Sequence, residues 1–132
     1  MLEDIKAPIR LKLSALWAAL MFCYVYGDYF GLYQPGKLQA ILRGDGPIGP
    51  TSQGTLVAVS ILMVIPSLMV FLPIALPPVL NRWTNIVLAV LYSAVVILTM
   101  PGSWAFYIFF SIVEIVLSLV IVWQAWNWPR CK

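Results

Sequence analysis

The chain contains no histidine and only two cysteines, Cys23 and Cys131, among its 132 residues. Without histidine there is no imidazole to act as a general base. Two cysteines so far apart in sequence form neither a Cys/His zinc site nor a CxxC redox centre. We therefore expect no metal site and no cofactor, and we do not expect an enzyme.

Charge is also scarce, since only 10% of the residues are charged and the net charge is +3. Soluble domains carry about 25% charged residues. The aromatic residues are not interleaved with Arg or Lys, so no nucleic-acid partner is expected. With 62% hydrophobic residues and a mean hydropathy of +0.93, the composition is typical of a membrane protein, and the lipid bilayer is its first partner.

Four apolar segments are each long enough, at about 17–25 residues, to cross a bilayer as a helix. They are 11–33, 55–76, 82–100 and 104–126. Helix-stopping sequences separate them: Gln34-Pro35-Gly36, Pro77-Pro78 and Pro101-Gly102-Ser103. The sequence thus predicts an all-α polytopic membrane protein. Residues 1–132 would form a single domain, an antiparallel four-transmembrane-helix bundle whose first span is not cleaved.

The basic residues predict how the chain is oriented in the membrane. With the N-terminus inside, the inner side holds Lys6, Arg10, Lys12, Arg82, Arg130 and Lys132, and the outer side holds Lys37 and Arg43. This asymmetry predicts that both termini are cytoplasmic, in the inner (cytoplasmic) membrane of the cell. The outer loop 34–53 would begin with a short helix over 37–43, followed by a non-helical glycine/proline segment over 44–50.

Glu114 lies near the middle of the fourth segment. A charged side chain at the bilayer centre costs at least about 2.5–3.5 kcal/mol on insertion scales, so such a residue is functional or specifically paired. No Lys or Arg occurs at the same depth. We therefore expect a neutral, protonated carboxyl, with the hydroxyl of Tyr92 as its hydrogen-bond partner and Ser60, Ser67 and Tyr24 as further candidates. A protonated acid that locks two helices together is the alternative.

Polar residues recur at helical spacing in every predicted span. The sets are Ser14, Trp17, Met21, Tyr24 and Asp28 in the first; Gln53, Ser60 and Ser67 in the second; Asn85, Tyr92 and Thr99 in the third; and Tyr107, Ser111, Glu114 and Ser118 in the fourth. The simplest packing turns all four polar stripes inward. Pro66 and Pro73 would bend the second helix, or free the carbonyls near Leu62 and Met69 to face a cavity.

Seven residues are the candidates for binding or proton response. They are Glu114, Tyr92, Ser111, Ser118, Tyr107, Asp28 and Tyr24. Asp28 is alternatively a solvated helix end. The tyrosines around Asp28, at 24, 26, 29 and 33, form either an aromatic box for an organic cation or, as we favour, an interfacial belt.

Several stretches resemble an uncharacterised bacterial family of small four-span membrane proteins, a domain of unknown function. These are residues 1–17 and 28–33, Pro35-Gly36-Lys37, residues 65–69, Asn81-Arg82-Trp83, Pro101-Gly102 and Val113-Glu114. The resemblance covers almost the whole chain and implies a topology without a mechanism. The layout is more distantly similar to DoxX-like proteins, in architecture alone.

Two functions are consistent with these features. The first is an oligomeric transporter or channel whose membrane-buried acid, Glu114, responds to protons or cations, with a cationic small molecule as a possible substrate. The second is a protein that binds a lipid or another hydrophobic ligand, or an accessory subunit of a membrane complex without transport activity. A membrane enzyme using Glu114 and Asp28 as an acid/base pair is disfavoured, because the two would differ in depth by about half a bilayer.

Overall fold

The computed structural model describes residues 1–46 and 49–130, and this part of the chain is mostly helical. Its elements are α1 (Ile9–Gly31), α2 (Lys37–Leu42), β1 (Asp45–Gly46), β2 (Gly49–Pro50), α3 (Gln53–Leu68), α4 (Leu72–Ala75), α5 (Pro78–Thr99) and α6 (Ala105–Trp126). The predictions that involve Cys131, Lys132 and the middle of the 44–50 segment lie outside the described residues.

Three helices, α1, α5 and α6, are long and apolar enough to cross a membrane. Of these three helices, α6 lies between α1 and α5 in space and packs along both. In the loop between α1 and α3, the expected short helix is present as α2, and β1 pairs with β2 in an antiparallel two-residue ladder. The prediction of a mostly helical membrane protein is therefore confirmed at this level.

The predicted second span is not one continuous helix. It is divided into α3, of 16 residues, and α4, of four residues, with a turn over 69–71 between them. Pro66 lies inside α3, and Pro73 lies in α4. Each proline lacks a backbone N–H and cannot continue the helical hydrogen-bond ladder, which explains why the helix breaks here.

The buried core lies toward one end of the three long helices. Its fully buried members are Leu13, Trp17, Leu20, Met69, Ala89, Ile121 and Ala125. We call this the Arg10 end, because it contains the start of α1, the end of α6 and all of α4. The opposite end, with the end of α1, the start of α6 and α2, is called the Asp28 end.

The polar stripes turn inward in only three of the four segments. Buried polar residues line α1, α5 and α6, whereas Gln53, Ser60 and Ser67 of α3 are exposed. The prediction of an inward-facing stripe in the second segment is therefore wrong. The physical reason is local: Ser60 donates to the carbonyl of Leu56 at 2.8 Å, and Ser67 donates to that of Met63 at 2.7 Å. A serine that bonds its own helix needs no partner across the bundle.

Candidate functional site

The relative height of α1 and α6 is set by a glycine. A Cβ added to Gly27 would lie 3.9 Å from the Cβ of Phe110, so the two residues face one another at contact distance. Glycine allows this approach because it has no side chain. One turn toward the Arg10 end lies Tyr24 on α1 and Glu114 on α6. The two therefore share a depth to within about 1.5 Å along the helix axes.

Tyr24, Ser111 and Glu114 form what we call the central cluster. Glu114 is 7% exposed and Ser111 is 1% exposed. The hydroxyl of Tyr24 is buried without a hydrogen-bond partner, and it lies within electrostatic range of Glu114. Ser111 is one turn from Glu114 on the same buried face of α6. The structure thus brings three of the predicted site residues to one region.

The Glu114 side chain is buried without a protein partner. Within residues 1–46 and 49–130, no donor or acceptor hydrogen bonds its carboxyl group, and no ion pair forms. A buried polar group usually finds a partner, because an unpaired one loses its hydration without compensation. Glu114 is therefore not a staple between two helices in the described part of the chain.

The predicted hydrogen bond between Tyr92 and Glu114 is not formed. Tyr92 is buried on α5, but its hydroxyl donates to the carbonyl of Leu62 on α3. That carbonyl lies four residues before Pro66, whose missing N–H leaves it without a helical partner. The Tyr92 hydroxyl therefore bonds the carbonyl that Pro66 leaves without a helical partner, and it does not bond Glu114. The alternative in which the Leu62 carbonyl faces a cavity is not observed, for the same reason.

Two further candidates on α6 are not directed at the central cluster. Ser118 is buried, but its hydroxyl donates to the carbonyl of Glu114 in its own helix at 2.8 Å. Tyr107 is half-buried and donates to the Thr99 hydroxyl, 3.2 Å away, at the Asp28 end. Ser118 therefore bonds the backbone of α6, and Tyr107 links the start of α6 to the end of α5.

Asp28 lies at the exposed side of the central cluster. Its side chain is exposed, one residue beyond Gly27 toward the end of α1. From the Gly27–Phe110 contact, the axial separation of Asp28 and Glu114 is about 7.5 Å. The two carboxyl groups are within electrostatic range of each other. The expected separation of half a bilayer is therefore wrong, because it ignored the relative height of α1 and α6.

The tyrosines near Asp28 do not form a box around it. The hydroxyls of Tyr29 and Tyr33 are hydrogen-bonded at 2.9 Å on the exposed surface, and both rings pack against Phe30. Tyr24 belongs to the central cluster instead. This arrangement is typical of an aromatic belt at a membrane interface.

A second polar network, at the Arg10 end, was not predicted. Arg10 reaches the backbone carbonyls of Pro73, Ile74 and Leu76 at 3.4, 3.2 and 2.6 Å. Ser14 donates to the carbonyl of Val70 at 2.5 Å, and Asn81 donates to that of Pro73 at 2.7 Å. These side chains satisfy carbonyls that the break between α3 and α4 leaves without helical partners.

The same network continues into the core through two asparagines. Asn85 accepts a hydrogen bond from the Trp17 indole at 2.8 Å and donates to the side-chain oxygen of Asn81 at 2.7 Å. Both asparagines are fully buried. The four-residue spacing of Asn81 and Asn85, just after Pro77-Pro78, was the signal in the sequence.

Arg82 closes the end of α6 nearby. It donates to the carbonyls of Ala125 and Trp126 at 3.2 and 3.1 Å. Its guanidinium lies 5.2 and 5.0 Å from the ring centroids of Trp83 and Trp126. A cation at a helix C-terminus and between two indole rings is doubly stabilised. Arg82 therefore has a structural role at the end of α6, whereas in the sequence it served only to predict the orientation in the membrane.

An apolar groove runs along a different face of α1. Its volume is about 710 Å³, and it is open to the surroundings. The lining residues are Ala18, Met21, Phe22, Val25, Tyr26, Tyr29 and Val70. Across the described ranges, no three His, Cys, Asp or Glu side chains come together as a metal site.

These features define a small helical membrane protein with a buried acidic site and a broken apolar helix. The chain belongs to the family of unknown function DUF6326, whose model matches residues 5–132. No curated protein and no solved structure is significantly similar to the chain. The family carries no assigned function, and the central cluster is the feature of the chain that indicates one.

Proposed function

We propose that this protein moves protons or monovalent cations across the membrane, with Glu114 as the group that takes up and releases the ion. One observation carries the proposal: the carboxyl of Glu114 is buried and has no protein partner in the described part of the chain. Placing such a group in a membrane helix is unfavourable, and intramembrane acids that persist commonly lie on ion pathways. A partner from outside the chain would satisfy the group.

Access to Glu114 would come from the Asp28 end. Asp28 is exposed and within electrostatic range of Glu114, whereas the fully buried apolar residues lie toward the Arg10 end, together with the buried Asn81 and Asn85. On this proposal an ion would enter from the side of Asp28 and reach Glu114, and the packed core would close the path beyond it. One-sided access to a central ion site is what an alternating-access carrier requires in one of its states.

The topology that fits this proposal has four crossings, with α3 and α4 together as one interrupted crossing. At about 1.5 Å per residue, the 16 residues of α3 span about 24 Å, short of the ~30 Å hydrocarbon layer, and the turn and α4 would supply the rest. Arg10, Arg82 and Arg130 would face the cytoplasm with both termini. Association into a homo-oligomer remains part of this proposal.

The direct test measures ion flux in liposomes that contain the purified protein and a trapped pH dye. With an imposed proton gradient, Glu114→Gln should reduce the protein-dependent flux by at least about tenfold, because a glutamine side chain cannot take up and release the ion as the Glu114 carboxyl does. Ser118→Ala is the matched control, since its hydroxyl bonds only its own helix. Flux that is equal in Glu114→Gln and the unaltered protein would refute the proposal.

The apolar groove favours a second candidate function, the binding of a lipid or another hydrophobic molecule. The groove has the volume of a small-molecule site and an apolar lining. Native mass spectrometry should then detect a co-purifying hydrophobic ligand. Val25→Trp should displace this ligand, because Val25 lines the groove, whereas Leu119→Trp on the exposed surface of α6 should not. Equal ligand occupancy in both variants would eliminate this alternative.

A further inference from the structure

Ser111 differs from every other serine in the chain. The seven other serines each form a hydrogen bond with their hydroxyl, in most cases to the carbonyl four residues earlier in the same helix. Ser111 is 1% exposed, yet its hydroxyl has no hydrogen-bond partner within residues 1–46 and 49–130. Serine in an apolar helix ordinarily bonds its own backbone. The hydroxyl of Ser111 is thus available to a molecule beside Glu114.

Three oxygen-bearing side chains in the central cluster share this property. The hydroxyl of Tyr24 is buried without a partner, and the buried residues Glu114 and Ser111 form no side-chain hydrogen bond in the described part of the chain. A single polar group without a hydrogen bond can be an unfavourable contact that a helix interface tolerates. Three in one region of the bundle, on two facing helices, indicate a binding site for a polar molecule.

The charge of the site limits its ligand to a monovalent cation. Glu114 is the one ionisable acid in the cluster itself, and Asp28 lies farther out beside Lys37. One carboxylate neutralises one positive charge, whereas a divalent ion would remain half uncompensated in the bilayer interior. An anion would be repelled by both carboxylates.

The backbone argues against an alkali metal ion. Sodium sites in transporters use carbonyls from unwound helix segments. Here α1 and α6 are continuous helices past the cluster, and the free carbonyl of Leu62 is already bonded by Tyr92. A protonated amine needs no such carbonyls. Its ammonium group has three N–H donors, which match a carboxylate and two hydroxyl oxygens.

We propose that the central cluster is a binding site for a protonated primary amine, held by Glu114, Ser111 and Tyr24. This inference rests on the proposed function, because it assigns the ion that Glu114 binds. If the amine enters as R–NH3⁺ and meets a protonated Glu114, the carboxyl proton leaves as the carboxylate forms its hydrogen bond. One proton is released for each amine bound, and charge balances. The other titratable groups near Glu114 are Cys23, Tyr24 and Asp28 of α1, and Tyr92 of α5.

The test uses methylammonium as the probe and the full chain in nanodiscs of zwitterionic lipid. Equilibrium binding of radiolabelled methylammonium is measured in competition with sodium and with tetramethylammonium. Tetramethylammonium carries the same charge without an N–H donor, so it should compete at least about tenfold more weakly if hydrogen bonds select the ligand. Glu114→Gln should abolish the binding of methylammonium.

Four variants separate an effect on methylammonium binding from an effect on folding. Ser111→Ala should weaken methylammonium binding by at least about tenfold, and Tyr24→Phe by a similar factor, because each removes one hydrogen bond to a cation. Ser111→Thr, which keeps a hydroxyl, should retain more affinity than Ser111→Ala. Ser118→Ala should bind as the unaltered chain does. Tryptophan fluorescence and size-exclusion profiles would verify that each variant is folded.

The outcomes distinguish this inference from the proposed function. Equal competition by tetramethylammonium and methylammonium, or full affinity in Ser111→Ala, would overturn the amine site. Absence of methylammonium binding together with Glu114-dependent proton flux would also overturn it, while the proposed function would stand. Amine binding without any Glu114-dependent flux would leave a binding site and reject transport.

Discussion

At the level of single residues, two physical accounts of Glu114 lead to opposite expectations for its replacement. A carboxyl that links helices by hydrogen bonds would stabilise the fold. A carboxyl that is buried without a protein partner costs free energy and persists for another reason. The geometry of Glu114, 7% exposed with no partner in the described ranges, corresponds to the second account.

The first prediction is that Glu114→Leu stabilises the protein. Exchanging an unpaired buried polar group for an apolar one of similar size should raise the free energy of unfolding by about 1–2 kcal/mol. Reversible unfolding in mixed micelles of denaturing and mild detergent would measure it. Ser118→Ala controls for an apolar exchange elsewhere on the same face of α6. A loss of stability in Glu114→Leu would show that the carboxyl has a structural partner.

The residue types and their spacing in the sequence pointed to the members of the central cluster, but they did not predict which hydrogen bonds form around it. Spacing of three and four placed Ser111, Glu114 and Ser118 on one face of α6, and all three are buried. The partner of Tyr92 could not be read from depth alone. Its hydroxyl could bond either Glu114 or the Leu62 carbonyl. It bonds the carbonyl, because Pro66 has no N–H to serve as the helical partner of Leu62. Tertiary contacts of this kind have no periodic signature.

At the level of elements, the broken helix is completed by other parts of the chain. Tyr92 bonds the Leu62 carbonyl, and side chains from α1 and α5 bond the carbonyls of residues 70–76. Unpaired carbonyls are unfavourable in hydrocarbon, so these contacts make the break compatible with a membrane.

A double-mutant cycle tests the contact between Tyr92 and the proline break. Tyr92→Phe should destabilise the protein by about 1 kcal/mol, because the Leu62 carbonyl loses its donor. In a Pro66→Ala background the same change should cost almost nothing, because the new N–H of residue 66 can bond Leu62. Unfolding free energies of the four proteins give the coupling. Additive effects would mean that the hydroxyl of Tyr92 does not serve this carbonyl.

Arg10 and Lys12 form a matched pair for the network at the Arg10 end. Both are basic residues at the start of α1, but only Arg10 reaches the carbonyls of α4, whereas Lys12 is exposed. Arg10→Met should speed amide hydrogen exchange in 72–76 by at least about tenfold, because charged hydrogen bonds contribute about 1.5–3 kcal/mol. Lys12→Met, with the same loss of charge, should not. Equal exchange in both variants would contradict the assigned role.

How far the sequence predicts the elements depends on whether their signals are local. Hydropathy and length locate α1, α5 and α6 closely, and Pro-rich sequences mark their ends. The outward stripe of α3 escaped prediction because Ser60 and Ser67 can bond their own helix as easily as a neighbour. The start of α5 at Pro78 was expected later, since proline is also well suited to the first helical turn.

At the level of the whole molecule, the parity of membrane crossings distinguishes the proposed topology from three spans. With four crossings, both termini lie on one side and the α2 loop on the other. With three crossings, the two termini lie on opposite sides.

Cysteine labelling in whole cells tests this parity. In a background where Cys23 and Cys131 are serine, we expect an impermeant maleimide to label Asp45→Cys in intact cells, because this exposed residue lies in the loop that is predicted to be outside. Glu3→Cys and Pro129→Cys should react only after permeabilisation. Labelling of one terminus but not the other in intact cells would support three crossings.

The contacts of α1 with α4 and the turn before it have a consequence for how the chain enters the bilayer. A ribosome makes Arg10 and Ser14 before residues 70–76, so their donors are already in the membrane when the broken segment leaves the insertion channel. Asn81 and Tyr92 follow it. We therefore expect the first helix to act as a template for the broken segment, so that assembly follows the direction of synthesis.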